Sequence, residues 1–91
     1  MYLHLGQDVV VRDSEIVGIF DLEKASLSKW TRAFLSNATK QGRVVTVSYE
    51  MPKSFIVTSR DGRTEVYISQ ISTATLKKRA AAGVPGDTAY P

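Results

Sequence analysis

Apolar and polar residues alternate weakly from Tyr2 to Leu5, and the β-branched run Val9-Val10-Val11 lies within Asp8 to Arg12. This pattern predicts two short strands broken at Gly6. Asp13-Ser14-Glu15 is a polar turn, and Ile16-Val17-Gly18-Ile19-Phe20 a compact apolar strand expected to be buried on both faces. Gly18 within it marks a bulge or the close approach of another backbone. Between Leu27 and Gln41 the period changes. Leu27, Trp30, Thr31, Phe34, Leu35 and Ala38 recur at the three-and-four spacing of one helical face, which predicts the main helix. Ser26 or Ser28 suits its N-cap, and Gly42 its C′ position. Lys29, Arg32, Ser36 and Lys40 fall on the opposite, solvent-facing side.

Arg43 to Tyr49 has strand composition and runs into Glu50-Met51-Pro52, where proline forces a turn or an edge position. Lys53 to Ser59 and Thr64 to Ser69 are two further strands, and Asp61-Gly62 between them is a strong signal for an antiparallel hairpin. Ser72 or Thr73 can cap a short helix through Arg79, with Leu76 facing inward and Lys77, Lys78 and Arg79 in the last turn, where the helix dipole favours positive charge. The periodicity then ends. The elements describe an α+β fold: a small, mostly antiparallel sheet with one main amphipathic helix and a short C-terminal helix. They fit a single domain over residues 1–80 with a flexible tail over 81–91.

A chain of 91 residues buries only about 60–65% of its unfolded surface, so self-association is a natural source of extra stability. With no cysteine and a single histidine, His4, neither disulfides nor a Cys/His metal site is expected. No apolar run has the length of a membrane span, and the first residues lack the pattern of a signal peptide, so a cytoplasmic protein without a membrane partner is expected. The charge is unevenly placed. Residues 1–41 hold five basic and five acidic side chains, whereas residues 42–79 hold seven basic (Arg43, Lys53, Arg60, Arg63, Lys77, Lys78 and Arg79) against three acidic (Glu50, Asp61 and Glu65). An electropositive second half suits a polyanion such as DNA, RNA or an acidic partner, although a merely solvated basic surface has the same composition.

No catalytic constellation competes with that reading. Nucleophilic catalysis needs a base near a serine or threonine, and His4 lies among apolar neighbours in a strand. Asp8, Asp13, Glu15, Asp21 and Glu23 match no metal-loop spacing. Asp61-Gly62-Arg63 lacks the following lysine and hydroxyl at a helix start that a phosphate loop requires. Trp30 has the chemistry of a base-stacking platform, but its place on the apolar helical face favours packing in the core or between subunits. The chain is read as a non-enzyme with no cofactor and no small-molecule substrate. Lys77-Lys78-Arg79 is its best binding feature, since adjacent cations splay around a helix and offer salt-dependent phosphate contacts.

Met1 to Gly6 with Asp8-Val9-Val10-Val11, then Ile16 to Asp21, then Pro52-Lys53-Ser54 before Ile56-Val57-Thr58, and finally Ser72 to Arg79, occur in an order that resembles the RemA/RemB family of bacterial extracellular matrix regulators. The resemblance covers residues 1 to about 80. It implies a small α+β domain that assembles into closed rings, with RemA-like members acting as DNA-binding activators of biofilm matrix genes. A ring would gather each copy's basic patch onto one surface, so that weak contacts add up. The expected role is a ring-forming transcriptional regulator that grips the backbone of double-stranded DNA through Arg43, Lys53, Arg60, Arg63, Lys77, Lys78 and Arg79. RemA-like proteins carry an arginine before the second apolar strand and an arginine-rich turn before the third, where this chain has Glu15 and Glu50-Met51-Pro52. Those carboxylates motivate the alternative of an oligomeric interaction module that recruits a protein partner without touching DNA.

Overall fold

The computed structural model of the protein describes residues 1–82. Its elements run β1 (Tyr2–Gly6), β2 (Val9–Arg12), a 3-10 turn (Asp13–Glu15), β3 (Ile16–Asp21), α1 (Leu22–Ala25), α2 (Lys29–Lys40), β4 (Val44–Thr46), β5 (Ser54–Arg60), β6 (Arg63–Ser69) and α3 (Thr73–Ala82). The α+β class holds, but there are two sheets rather than one. β1 and β2 form an antiparallel ribbon, and the other strands form a four-stranded sheet in the order β3-β5-β6-β4.

Local chemistry accounts for most boundaries. Asp61 and Gly62 both adopt positive φ, 51° and 78°, which is the backbone that a two-residue hairpin loop between right-twisted strands demands. β5 and β6 accordingly pair antiparallel from Ser54–Ser69 to Arg60–Arg63. Ser28 caps α2, its hydroxyl accepting from the Thr31 amide at 3.4 Å, and Gly42 follows the helix with φ of 69°. Ser72 caps α3 in the same way, accepting from the Thr75 amide at 3.3 Å. The ladder shifts register between Ile16 and Gly18, and a Cβ built on Gly18 would lie 2.5 Å from Phe20 Cζ. The bulge reading of Gly18 holds, and what closes on it is the Phe20 side chain rather than another backbone.

The four-stranded sheet separates two apolar clusters. On one face Leu3, Leu5 and Val11 of the β1–β2 ribbon meet Val47, Ile56 and Leu76. On the other, Ala38 of α2 meets Phe55, Val57 and Val66. The alternation of Phe55 and Val57 with Ile56 along β5 sends successive side chains to opposite faces, as a pleated strand must. Two buried hydroxyls stitch the layers. Ser69 Oγ donates to the Leu5 carbonyl at 2.6 Å and accepts from the Ile71 amide at 3.0 Å, and Ser54 Oγ donates to the Ile71 carbonyl at 2.7 Å. Both hydroxyls are thereby satisfied and do not weaken the core, whereas Arg43 Nε and Gln70 Oε1 are buried without a protein partner.

Several expectations need correction. β3 is an edge strand, with Val17 66% and Phe20 41% exposed, because strand composition alone does not reveal whether a neighbour will cover it. The apolar stripe of α2 is only partly inside: Ala38 is buried, but Trp30 is 86% and Leu27 81% exposed, which removes the core reading of Trp30. β4 is shorter than the expected Arg43–Tyr49 strand and pairs parallel with β6. α3 continues beyond Arg79 to Ala82, so Lys77 and Lys78 sit in the body of the helix and only Arg79 in its last turn. Of the tail expected over 81–91, residues 81 and 82 belong to α3 and the rest lies outside the described residues.

Candidate nucleic-acid interface

The seven candidate cations do not form one patch. Arg60 and Arg63 face each other across the last rung of the β5–β6 hairpin. Arg43 joins that end of the sheet by donating from Nη1 to the Thr64 carbonyl at 3.3 Å. Lys53 stands just before β5, at the opposite end of the ladder, where its amide donates to the Ser69 carbonyl at 2.9 Å. Six residue steps along β5 separate the two ends by roughly 20 Å. Lys77, Lys78 and Arg79 are exposed on α3, which packs against β1 and β3.

Their electrostatic settings differ as well. Arg60 Nε lies 3.5 Å from Glu15 and 3.9 Å from Asp61, and Arg63 Nε lies 3.9 Å from Glu65. The hairpin tip therefore balances each arginine with a carboxylate, and its net field is small. Among the described residues, Lys53, Lys77, Lys78 and Arg79 lie beyond ion-pair distance of any carboxylate. Lys53 shares a depression with Asp21, Glu23 and Ser72, so its charge is tempered at longer range. Arg79 is steered rather than neutralised, since Nη1 donates to the His4 carbonyl at 3.2 Å. The α3 cations are thus the most anion-receptive of the set. Leu76, fully buried beside them, fixes the rotation of the helix about which they splay.

One polar feature was not anticipated. Between the ribbon and the sheet, Tyr2, Arg12, Glu15, Arg60, Glu65 and Tyr67 line a depression of about 280 Å³. Arg12 lies over the Tyr2 ring, 5.8 Å from its centre, a cation–π contact. The pairing of Tyr2 with Arg12 across the ribbon is the signal that would have found it. Burial holds the Tyr67 phenol above its usual pKa, the Glu65 and Glu15 carboxylates add to that, and Arg60 opposes it. A folded pKa raised above the unfolded one stabilises the protein fully below about pH 10, and this contribution is lost as pH rises through the folded value. Urea midpoints are expected to fall between pH 9 and pH 11 in the native chain and to fall less in Tyr67→Phe; equal falls would contradict this.

Among the described residues there is no group of three His, Cys, Asp or Glu side chains placed to hold a metal ion. His4 Nε2 is occupied by the Gln7 carbonyl. No described helix is long and apolar enough to cross a membrane.

Comparison with known proteins places these features in context. The family model described as extracellular matrix regulatory protein A-like, RemA-like, matches residues 2–80. Extracellular matrix regulatory protein B of Bacillus subtilis (strain 168) is 44% identical over 80 residues, covering 88% of this chain and 90% of the relative. The matched span holds all ten elements up to the last turn of α3. With its ribbon, four-stranded sheet and basic C-terminal helix inside that span, the chain belongs to the RemA-like family of extracellular matrix regulatory proteins.

Proposed function

We propose that this protein is a transcriptional regulator of extracellular matrix and biofilm genes that works in the cytoplasm as a closed homo-oligomeric ring and holds duplex DNA by its phosphate backbone. The observation that carries the reading is the row Lys77, Lys78 and Arg79, exposed on a helix anchored by Leu76 and without a carboxylate in ion-pair reach among the described residues. Lys53 adds a separate cation without an ion-pair partner among the described residues, whereas Arg43, Arg60 and Arg63 contribute less because the tip carboxylates compete with phosphate. A +3 chain is a weak DNA binder by itself; repetition around a ring turns each copy's few contacts into useful affinity. Phosphate contacts position the protein without reading bases, so specificity comes from the shape and deformability of the duplex.

Gel-shift titration of a promoter-length duplex tests this. Binding is expected to weaken linearly in log–log terms as salt rises, with a slope of roughly 0.9 per phosphate contacted. Replacing Lys77, Lys78 and Arg79 together by alanine should flatten that slope while leaving the oligomer intact, and Arg60→Ala should leave it unchanged. Absence of binding at low salt sinks the DNA reading. The neutralised hairpin tip, with Glu15 on Arg60, favours a second reading in that event: the ring recruits a protein partner and leaves DNA alone.

A further inference from the structure

α2 packs over the β4 and β6 side of the sheet, and the β3–β5 half of the same face is bordered by α1. Between α2 and the β3 edge runs a groove of about 290 Å³ lined by Val17, Phe20, Trp30, Phe34, Phe55 and Val57, with Thr31 at its wall. No charged side chain lines it, and no described element fills it. Phe20 and Phe55 stack along its floor with ring centres 5.0 Å apart. A soluble chain places side chains of this size in water only at a cost, yet Trp30 is 86%, Leu27 81% and Val17 66% exposed. Together with the open parts of Phe20 and Phe34 they present on the order of 600 Å² of apolar surface, at the upper end for a lone protein and close to the ~800 Å² per partner of a stable interface.

A second surface with large apolar side chains in the open, mixed with His4 and Arg12, lies on the other side of the molecule. In the β1–β2 ribbon, Leu3, Leu5 and Val11 point into the core, which turns Tyr2, His4, Val10 and Arg12 outward, with Tyr2 and Val10 at 61% and 53% exposure beside Met1 at 52%. The ribbon packs on the cluster that the four-stranded sheet separates from α2. Groove and ribbon therefore occupy opposite faces of one sheet. Two different patches on opposite faces cannot both be satisfied by a two-fold pair, but they are satisfied by head-to-tail contacts, which close into a ring when the rotation between copies permits.

We infer that the groove between α2 and β3 receives the outward face of the β1–β2 ribbon of a second copy of this chain, so that each subunit is a donor at one face and an acceptor at the other. This rests on the ring reading and assigns its interface. Because Trp30, Tyr2 and Val10 are exposed, substituting them removes no core packing.

Native mass spectrometry on three full-length proteins tests the assignment: the native chain, Trp30→Asp, and the double variant Tyr2→Asp with Val10→Asp, each checked for folding by circular dichroism. The native chain should be oligomeric and each variant monomeric at the same concentration, a loss of at least tenfold in association. Mixed in equal amounts, the two variants retain one intact groove and one intact ribbon between them, and a mixed dimer is expected. An oligomer that persists in either variant overturns the assigned interface and leaves the ring standing. A mixture that stays monomeric overturns the head-to-tail geometry. Dissociation by Tyr49→Asp but not by the ribbon variant would transfer the occupant's role to the exposed Tyr49–Met51 loop and overturn the ribbon. A native chain that is monomeric at every concentration removes both the ring and its interface.

Discussion

Leu76→Ala is expected to lower stability by about 3 kcal/mol, and with it the midpoint of thermal unfolding by roughly 10–25 °C. Leu76 is fully buried among Leu3, Leu5, Val11, Val47 and Ile56, with Ile16, Ile19 and Tyr67 packed around them. Truncation removes the transfer free energy of three carbons and leaves a cavity that strands on two sides cannot collapse to fill. Little else holds α3. Ala80 makes a smaller contact with the same cluster, and the exposed hydrogen bond from Arg79 to the His4 carbonyl contributes about 1 kcal/mol at most. A ten-residue helix is not stable alone in water, so its helicity depends on this docking. Circular dichroism in urea should show the loss, whereas Lys77→Ala on the outer face of the same helix should stay within about 0.5 kcal/mol of the native chain. An equal effect of the two would mean that Leu76 is not the anchor. The variant also separates charge from display: in the temperature range where Leu76→Ala remains folded but frayed at α3, the cations are present and their placement is not.

What the chain made legible follows from how local each determinant is. Asp61-Gly62 dictates a hairpin whatever surrounds it, Ser28 and Gly42 bracket a helix by their own backbone preferences, and Leu76 stands one turn past a serine cap. α1 escaped notice because four residues behind the Asp21 cap are too few for a period to emerge. Exposure was harder still. The apolar spacing of Trp30, Phe34 and Ala38 marks one face of α2 correctly, but only the placement of that helix over β4 and β6 decides that Ala38 is covered and Trp30 is not. Likewise Val17 and Phe20 look interior because apolar strands usually are; the strand order puts them at an edge. The cations show the same limit from the charged side. Arg60 and Lys53 are seven positions apart in the chain and stand at opposite ends of a strand. The Glu15 that neutralises Arg60 comes from a turn 45 positions earlier. Membership of a basic stretch therefore overstated how many charges face a partner freely.

Gly6→Ala should be nearly as damaging as the loss of Leu76, at roughly 3 kcal/mol, although it adds a methyl group instead of removing bulk. Gly6 has φ of 126°, a region that residues with a Cβ occupy only under strain of about 1–3 kcal/mol. The space is closed too: a Cβ there would lie 3.0 Å from Gln70 Oε1, 3.2 Å from Gln70 Nε2 and 3.2 Å from Val47 Cγ1. Gln70 Oε1 is itself buried without a protein partner, and the amide and the Val47 methyl must each give by a few tenths of an ångström to admit the new Cβ. Overpacking of this kind adds about 1–3 kcal/mol. The position matters because Leu5, its neighbour, receives the Ser69 hydroxyl at 2.6 Å, the bond that fastens the ribbon to β6. Gly62→Ala supplies the comparison, for it has φ of 78° and nothing within 4 Å of a built Cβ. It bears only the backbone term, about 1 kcal/mol. Urea unfolding of the two variants against the native chain should therefore separate them by about 2 kcal/mol; equal losses would show that Gly6 is required for its backbone alone, and that Gln70 yields.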